Sequence, residues 1–396
     1  MRIVVVSETF AKHMGYIQNF LPAALAAEGH DVHLVTTALP PNHTIAEFNE
    51  AYGEFLRHHH VPDGEHLDGV QIHYEPFERR LGYTRLPGLR QTLRRLRPDV
   101  VQVLHTIGWL PLDAAIAGLT LPFGLFTAAH YTRSVFTLAQ REPAWWEPAL
   151  LRSRATRALP GRLISMRTDR CYAATDDCAE VAIRYFGVQA HKVDILPLGV
   201  DTQLFHAPTT DERLHARATV RVRFGIADDE LLLIYTGRFT ADKRPALLAE
   251  ATARLRAQGR RVRALFVGGG PQRSLLEPTD GCHVTGFVPN TELPTLFWAA
   301  DIGVWPAQES LSMLDAAASG LPVIVNNTIT ARERHEGNGR TYILGDAADL
   351  AATIESLTSP DLRRELGQAR ARKMAENYSW TRMARRRQQD YQRHAP

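Results

Sequence analysis

Short apolar runs alternate with helix-like segments along the whole chain, and this alternation constrains the fold more than any other feature. The runs occupy residues 2–6, 32–36, 100–104, 123–127, 194–197, 231–235, 264–267, 302–305 and 322–325. Strands that are buried on both faces appear as continuous apolar stretches, and the helices between them cover both sides of a parallel sheet. The sequence therefore predicts an α/β fold.

The chain is long enough for two such units. A chain of 396 residues exceeds what a single hydrophobic core normally serves, so two domains of similar size are expected. Gly and Pro interrupt the pattern at Pro197–Ala207, just before a new polar helix. We therefore place the domain boundary in that segment.

The segment Thr236–Pro245, TGRFTADKRP, follows an apolar run and precedes a helix-like segment. It carries Arg238, whose guanidinium forks onto a phosphate, and Lys243, a compact point charge. The chain has four lysines among many arginines, so a lysine at this position is not explained by composition. A phosphate-binding turn and a solvated basic turn both remain open from this segment alone.

Other strand ends carry residues suited to a ligand. The run beginning at Val262 ends in glycines at 268, 269 and 270, where a ligand or another backbone can approach closely. His130 follows the run Phe126–Ala129, where a packed histidine and a site histidine are both possible. His105 ends the preceding run and is a weaker candidate for the same edge.

The order of these motifs resembles the GT-B retaining glycosyltransferases of glycosyltransferase family 4. The second half carries the resemblance in GRFTADKRP, FVGGGP, TGFVP, AADIGVWP and ES followed by DAAASGLPVIV. The first half carries it in RIVVVSETF, EGHDVHLVTT, DVVQVLH and FTAAH. The resemblance implies two Rossmann-like domains whose parallel sheets face a central cleft. It implies an acceptor-side domain at 1–197, completed by a helix at 381–396, and a nucleotide-sugar domain at 198–380.

The resemblance also implies roles for individual residues. Arg238 and Lys243 would hold the donor diphosphate, Glu309 the hydroxyls of the donor sugar, and His130 the same sugar from across the cleft; these four form the expected catalytic set. A helix beginning near Met313, capped by Ser310 or Ser312, would direct backbone N–H groups at an anion. The remaining expected donor-binding residues are Gly15, Gly237, Gly268, Gly269, Leu311 and Asp315.

Two positions depart from the family's pattern. The family's paired acids are spaced E-x7-E, whereas aligning AAASGLPV here gives E-x5-D, with Asp315 as the second acid. Asp315 therefore either holds the ribose or occupies the third position of a helix capped by Ser312. The family often carries paired glycines after the first strand, and only Gly15 is present here.

Other site classes find little support. Cys171, Cys178 and Cys282 form no CxxC and suggest reduced thiols rather than a disulfide or metal site. No metal or other cofactor is expected, and the triplet His58–His60 fits a solvated loop. No apolar run of membrane-spanning length exists, and the net charge of +3 does not suggest a nucleic-acid partner. MRIVVVSETF shows no signal-peptide pattern, so a cytoplasmic protein is expected.

Two arginine-rich stretches bear on the acceptor, which is either a small molecule or a lipid-linked glycan. Residues 79–97 combine seven arginines with leucines at helical spacing, and residues 152–167 follow Trp145 and Trp146. Both suit peripheral contact with an anionic membrane, and both equally suit leucines facing the core with arginines facing water.

The expected function is the metal-independent transfer of a hexose-type sugar, with retention, from a nucleoside diphosphate to an acceptor hydroxyl. Two alternatives stay open. One is a GT-B epimerase or phosphorylase, which would need further acid/base carboxylates or a pyridoxal-binding lysine. The other is a non-catalytic nucleotide-sugar-binding protein, which the altered E-x5-D spacing keeps open.

Overall fold

The computed structural model describes residues 1–39, 64–141, 143–335 and 339–395. The His58–His60 triplet lies outside these ranges. Sixteen strands are described: β1 Arg2–Thr9, β2 Asp31–Thr37, β3 His66–Leu67, β4 Val70–Tyr74, β5 Glu78–Arg80, β6 Tyr83–Arg85, β7 Val100–Val103, β8 Gly124–Ala129, β9 Arg170–Ala173, β10 Val193–Ile195, β11 Leu231–Thr236, β12 Val262–Val267, β13 Cys282–Thr285, β14 Ile302–Trp305, β15 Val323–Asn326 and β16 Arg340–Tyr342.

The α-helices of the described residues alternate with these strands. Their bounds are α1 Ile17–Ala27, α2 Leu89–Leu96, α3 Trp109–Ala117, α4 Thr137–Arg141, α5 Pro148–Ser153, α6 Leu159–Arg167, α7 Asp176–Phe186, α8 Thr210–Phe224, α9 Pro245–Ala257, α10 Arg273–Leu276, α11 Leu293–Ala299, α12 Ser312–Ala318, α13 Arg332–His335, α14 Ala347–Glu355, α15 Pro360–Asn377 and α16 Trp380–His394. A π-helical turn, Arg154–Ala158, joins α5 to α6.

The strands form two large sheets. The first has the order β10-β9-β8-β7-β1-β2-β4-β3, in which only the β3–β4 pair is antiparallel. The second has the order β13-β12-β11-β14-β15-β16 and is parallel throughout. Strands β5 and β6 form a separate antiparallel hairpin. The predicted α/β fold with two parallel sheets is confirmed.

The continuous apolar runs became the central strands because both of their faces are covered. Residues 3–6 of β1 and residues 232–234 of β11 have no exposed surface. The β1 side chains divide between two hydrophobic clusters, one on each face of the first sheet, whereas those of β11 belong to one separate cluster of the second sheet. The residues that follow the apolar runs therefore lie at the carboxyl ends of the central strands in both sheets. In open α/β folds this is the edge at which ligand sites form.

The chain passes between the two sheets twice, and the two crossings run side by side. The Val200 N–H donates to the Tyr378 carbonyl at 2.8 Å, and the Trp380 N–H donates to the Val200 carbonyl at 3.1 Å. Helix α16 then packs against the first sheet, where the Tyr391 hydroxyl donates to Gln102 Oε1 at 2.8 Å. The Tyr391 ring lies 4.6 Å from the ring of Phe126. Helix α16, which follows the second sheet in the chain, therefore completes the core of the first sheet.

Candidate active site

A cavity of about 690 Å³ lies between the carboxyl ends of the two sheets. The first domain contributes residues from its strand ends, the β5–β6 hairpin and the start of α3, namely Glu8, Arg79, Tyr83, Thr84, His105, Trp109, His130 and Tyr131. The second sheet contributes Gly237, Arg238, Lys243, Glu309, Ser310 and Leu311. A smaller cavity of about 140 Å³ adjoins it and is lined by Gly15, Thr236, Gly268, Phe287, Val288, Ser312 and Asp315, among others. Tyr16, Gly237, Ser310 and Leu311 line both cavities.

Two glycine turns touch at the second-domain side of these cavities. Gly237 follows β11 with φ of 148°, and Gly268 follows β12 with φ of 142°. A Cβ atom on Gly268 would lie 2.0 Å from the Gly237 carbonyl oxygen, so no side chain fits there. The predicted close approach at Gly268 is thus an approach of backbone to backbone, which brings the ends of two adjacent strands together.

Arg238 and Lys243 enter the large cavity from one turn. The Tyr235 hydroxyl donates to the Arg238 carbonyl at 2.8 Å and fixes the turn from below. The Lys243 ammonium donates to the Glu309 carbonyl at 2.6 Å, which ties this turn to the loop before α12. Burial, with a smaller contribution from the Arg238 charge, lowers the pKa of Lys243 from its ordinary 10.5 to about 8. Two cationic side chains therefore share one wall.

Glu309 and Asp315 lie in different cavities. Glu309 lines the large cavity beside the two cations, and burial raises the pKa of its carboxyl. Asp315 is 9% exposed and lines the smaller cavity. Burial raises the pKa of Asp315 from 3.8 to about 8, opposed by the Arg334 charge. The E-x5-D spacing therefore does not direct both carboxyls at one ligand group.

The prediction that Ser310 or Ser312 caps α12 is wrong. Leu311 is the N-cap residue, and no side chain hydrogen-bonds the first turn there. Ser312 is already helical, and its hydroxyl donates to the Thr236 carbonyl at 3.2 Å, because the end of β11 lies next to it. Asp315 therefore does not occupy the third position of a helix capped by Ser312.

Two of the expected donor-binding residues do not line either cavity. Met313 is fully buried, and its N–H donates to the Ser310 carbonyl at 3.3 Å. That amide serves the turn itself and is not directed at an anion. The Gly269 carbonyl accepts the Phe239 N–H at 2.7 Å, so this glycine links the two strand-end turns from behind the cavity.

His130 and Gly15 reach the site from the first domain. His130 lines the large cavity, and burial, aided by His105 and Arg387, lowers its pKa from 6.5 to about 3. Its Nε2 atom is buried and has no hydrogen-bond partner in the part of the chain that the structure describes. Gly15 has φ of 73° and lies against Asn290 of the second domain, where a Cβ would meet the Asn290 side chain at 3.0 Å. The low pKa of His130 leaves its imidazole neutral, and the Nε2 atom is available to a ligand.

A third carboxylate, Glu8, was not singled out from the sequence. Glu8 follows the apolar part of β1 and lines the large cavity. It accepts a hydrogen bond from the Thr84 hydroxyl, and it lies 3.7 Å from Arg79 and 3.9 Å from His105. Glu8, His105 and His130 all follow apolar runs at the same edge of one sheet, and that shared placement was the signal available in the sequence.

Comparisons with known proteins agree with this geometry. A model described as Glycosyltransferase Family 4 matches residues 21–204, and one described as Glycosyl transferases group 1 matches residues 230–359. The chain belongs to the group 1 glycosyltransferases of family 4. Glycosyltransferases with solved structures share its architecture, which is the GT-B fold.

Individual relatives match parts or all of the chain. A D-inositol 3-phosphate glycosyltransferase of Geodermatophilus obscurus is 32% identical over 235 residues, which are 54% of this chain and 50% of that protein. The chain thus spans about half the length of this relative. The enzyme of the same name from Streptomyces coelicolor is 28% identical over 74% of this chain and 69% of its own. Anabaena Alr3699/HepE, solved in complex with UDP-glucose, has a TM-score of 0.70 at 15% identity, covering 99% of this chain and all of that one.

Two further observations concern the described residues alone. Within the described ranges, no cluster of three or more histidine, cysteine, aspartate or glutamate residues is arranged to hold a metal ion. In the same ranges, no helix is both long and apolar enough to span a membrane.

Proposed function

We propose that this chain transfers a hexose from a nucleoside diphosphate sugar to an acceptor hydroxyl, with retention of configuration and without a metal ion. One observation carries the proposal: Arg238, Lys243 and Glu309 share a single cavity with His130 of the other domain. The names of the inositol phosphate glycosyltransferases support sugar transfer, and the UDP-glucose in the Anabaena protein supports a nucleotide-sugar donor.

The donor would occupy both cavities. Its diphosphate would lie against Arg238 and Lys243, where two cations balance the negative charge. The sugar would extend through the large cavity toward Glu309 and His130. The nucleoside would enter the smaller cavity, whose wall combines apolar Phe287 and Val288 with the carboxyl of Asp315.

In the reaction, the bond from the sugar's anomeric carbon to the phosphate oxygen breaks, and a bond to the acceptor oxygen forms on the same face. The acceptor proton passes to the departing phosphate oxygen. Arg238 and Lys243 stabilise the charge that develops on the diphosphate, a task that metal ions perform in other transferases. Neutral His130 would donate or accept a hydrogen bond at a sugar hydroxyl, and Glu309 would accept others.

The acceptor would enter the first-domain half of the large cavity. That half carries Glu8, Thr84 and the rings of Tyr83 and Trp109. A carboxylate held by a threonine hydroxyl and an arginine is a fixed acceptor of hydrogen bonds, so Glu8 would orient an acceptor hydroxyl.

The decisive experiment measures turnover with UDP-, GDP-, ADP- and TDP-linked hexoses after a thermal-shift panel identifies the donor. Proton NMR of the product should show the anomeric configuration of the donor, and excess EDTA should leave the rate unchanged. Inversion, or loss of activity in EDTA that added metal restores, would contradict the respective part of the proposal.

Glu8 also favours a second candidate, an epimerase. An epimerase needs an acid/base group beyond Glu309 in the cleft, and Glu8 with His105 3.9 Å away supplies one. Incubating the enzyme with the donor alone distinguishes the two functions. An epimerised sugar without acceptor would favour this candidate, whereas an unchanged donor favours transfer.

A further inference from the structure

Residues 145–167 present an exposed apolar surface on the first domain. Trp145 and Trp146 precede α5, and the helical stretch continues through the π-turn into α6. Trp145, Trp146, Leu159 and Met166 are 69%, 63%, 62% and 65% exposed. We call the set Trp145, Trp146, Leu151, Leu159, Leu163 and Met166, all of them exposed, the tryptophan–leucine face.

Apart from Glu147, which pairs with Arg141, the charged residues of this segment are all arginines. Residues 148–167 contain five arginines and no aspartate or glutamate. Arg152, Arg154 and Arg162 are exposed on the same stretch as the tryptophan–leucine face. A solvated helix of a globular protein normally mixes acidic and basic residues and hides its leucines, so this segment has the composition of a helix that lies in a membrane interface.

The other arginine-rich stretch, residues 79–97, differs in the exposure of its leucines. Leu86, Leu89 and Leu93 near and within α2 are at most 1% exposed, because they pack into the core beneath the first sheet. In the adjoining hairpin, Arg85 pairs with Asp113 at 2.9 Å. Leu81, in the turn of the hairpin, is an exposed exception at 83%. Residues 79–97 otherwise form an ordinary solvated face, whereas 145–167 leaves a whole set of apolar side chains uncovered.

We propose that the tryptophan–leucine face docks the protein on the surface of a bilayer that contains anionic lipids. Tryptophans lie at the level of the lipid headgroups, because one end of the indole is apolar and the other polar. The leucines and Met166 enter the boundary of the acyl chains, and the exposed arginines contact lipid phosphates. Leu119, which is 74% exposed, extends the face, since Arg167 at the end of α6 donates to the neighbouring Gly118 carbonyl at 3.1 Å.

This surface borders the acceptor half of the large cavity. On the buried side of the same helical stretch, Arg157 Nε donates to the Tyr83 hydroxyl at 3.2 Å, and Tyr83 lines the cavity. Docking would therefore hold the first-domain half of the cavity close to the bilayer. The docking itself does not depend on which reaction the cavity performs.

The test is co-sedimentation of the full chain with vesicles of phosphatidylcholine alone or mixed with phosphatidylglycerol, in low and high salt. Binding should increase with phosphatidylglycerol and decrease with salt, because the arginine contacts are screened. The double variant Leu159→Gln/Leu163→Gln should lower the partition coefficient roughly ten-fold or more through lost apolar burial. The matched control is Arg94→Gln/Arg95→Gln on α2, two exposed arginines of the other stretch, which should bind as the parent does.

Both leucines are exposed, so the melting temperature of the double variant should equal that of the parent. Should it fall, Trp145→Ala/Trp146→Ala removes apolar surface outside the helix and replaces it. Equal binding to neutral and anionic vesicles would overturn the proposal, as would unchanged partitioning in both variants. Self-association of the parent that the double variant abolishes, without any vesicle binding, would instead identify the face as a protein interface.

Discussion

Lys243 holds its charge in a place where burial works against it. The pKa of about 8 means that the folded protein binds fewer protons here than the unfolded chain does between pH 8 and 10.5. The lysine therefore lowers stability below about pH 8, and this cost is relieved as the pH rises through that window. A bound diphosphate would reverse the balance, because an anion beside the ammonium favours its charged form.

We expect the affinity for the nucleoside diphosphate to fall as the pH rises above about 8 and the free protein loses this proton. Titration calorimetry between pH 7.5 and 9.5 should show the loss, with proton uptake on binding. Lys243→Ala should bind about ten- to a hundred-fold more weakly at pH 7.5, since a charge-assisted contact contributes roughly 1.5–3 kcal/mol. The variant should also lose the pH dependence; an unchanged slope would assign it to another group.

Asp315 changes the stability with pH in the opposite direction to Lys243. Its carboxyl binds a proton more tightly in the folded protein than in the unfolded chain between pH 3.8 and about 8, so this group lowers stability as the pH rises through that range. Asp315→Asn should therefore melt higher than the parent at pH 8.5, with a smaller difference at pH 5. Equal differences at both values would show that the carboxyl keeps its ordinary pKa.

The role of Asp315 toward a ligand needs a separate variant. Asn retains a polar group of the same size, whereas Asp315→Ala removes any hydrogen bond to a ribose in the smaller cavity. If the nucleoside lies there, the alanine variant should bind the nucleoside diphosphate more weakly at every pH. Unchanged affinity would leave Asp315 a purely structural residue.

At the scale of elements, the two strand-end turns form one unit. Gly268→Ala forces a Cβ to within 2.0 Å of the Gly237 carbonyl at a positive φ, so one turn must move. Overpacking of this kind costs about 1–3 kcal/mol, and the shift should also weaken donor binding. Gly286→Ala after β13 is the matched control, because nothing lies within 4 Å of its Cβ. Equal melting temperatures and affinities for the two variants would contradict the close approach.

Apart from the partly buried edge strand β10, which the run at 194–197 predicted, the sequence predicted the strands whose burial is complete and missed those whose burial is partial. The runs at 2–6, 231–235 and 302–305 became central strands because both faces are covered. Strand β4 alternates polar and apolar residues at the side of the sheet, and the β5–β6 hairpin, ERR and YTR, buries little besides Thr84. Leu81 and Gly82 turn this hairpin with positive φ, and a leucine gives no sign of such a turn.

The same difference in burial explains which residues of the site could be predicted from the sequence. Arg238, Lys243 and Gly268 belong to turns that follow long apolar runs, so their place at a sheet edge could be predicted. Thr84 and Tyr83 reach the cavity from the hairpin, whose position over the first sheet depends on long-range packing. The position of Glu8 after an apolar run could have been noticed in the sequence. Its role could not, because it depends on contacts with Arg79, Thr84 and His105.

At the scale of the whole molecule, α16 joins the two ends of the described chain into one domain. Tyr391 has no exposed surface, and its hydroxyl and ring contact Gln102 and Phe126. Tyr391→Ala should cost about 3–5 kcal/mol, as truncation of a large buried ring does. Gln392→Ala, an exposed neighbour on the same helix, should change little. A melting temperature for Tyr391→Ala equal to that of the glutamine variant would show that α16 is not required.

The return of α16 to the first sheet also sets an order of events during synthesis. Domains made first on the ribosome ordinarily fold first. Here the buried rings of Phe126 and Tyr172 lack their cover until Trp380–His394 has been made, after the entire second domain. Of the two domains, the one translated earlier is therefore completed later, and one apolar face of its sheet lacks the α16 cover while the other domain is synthesised.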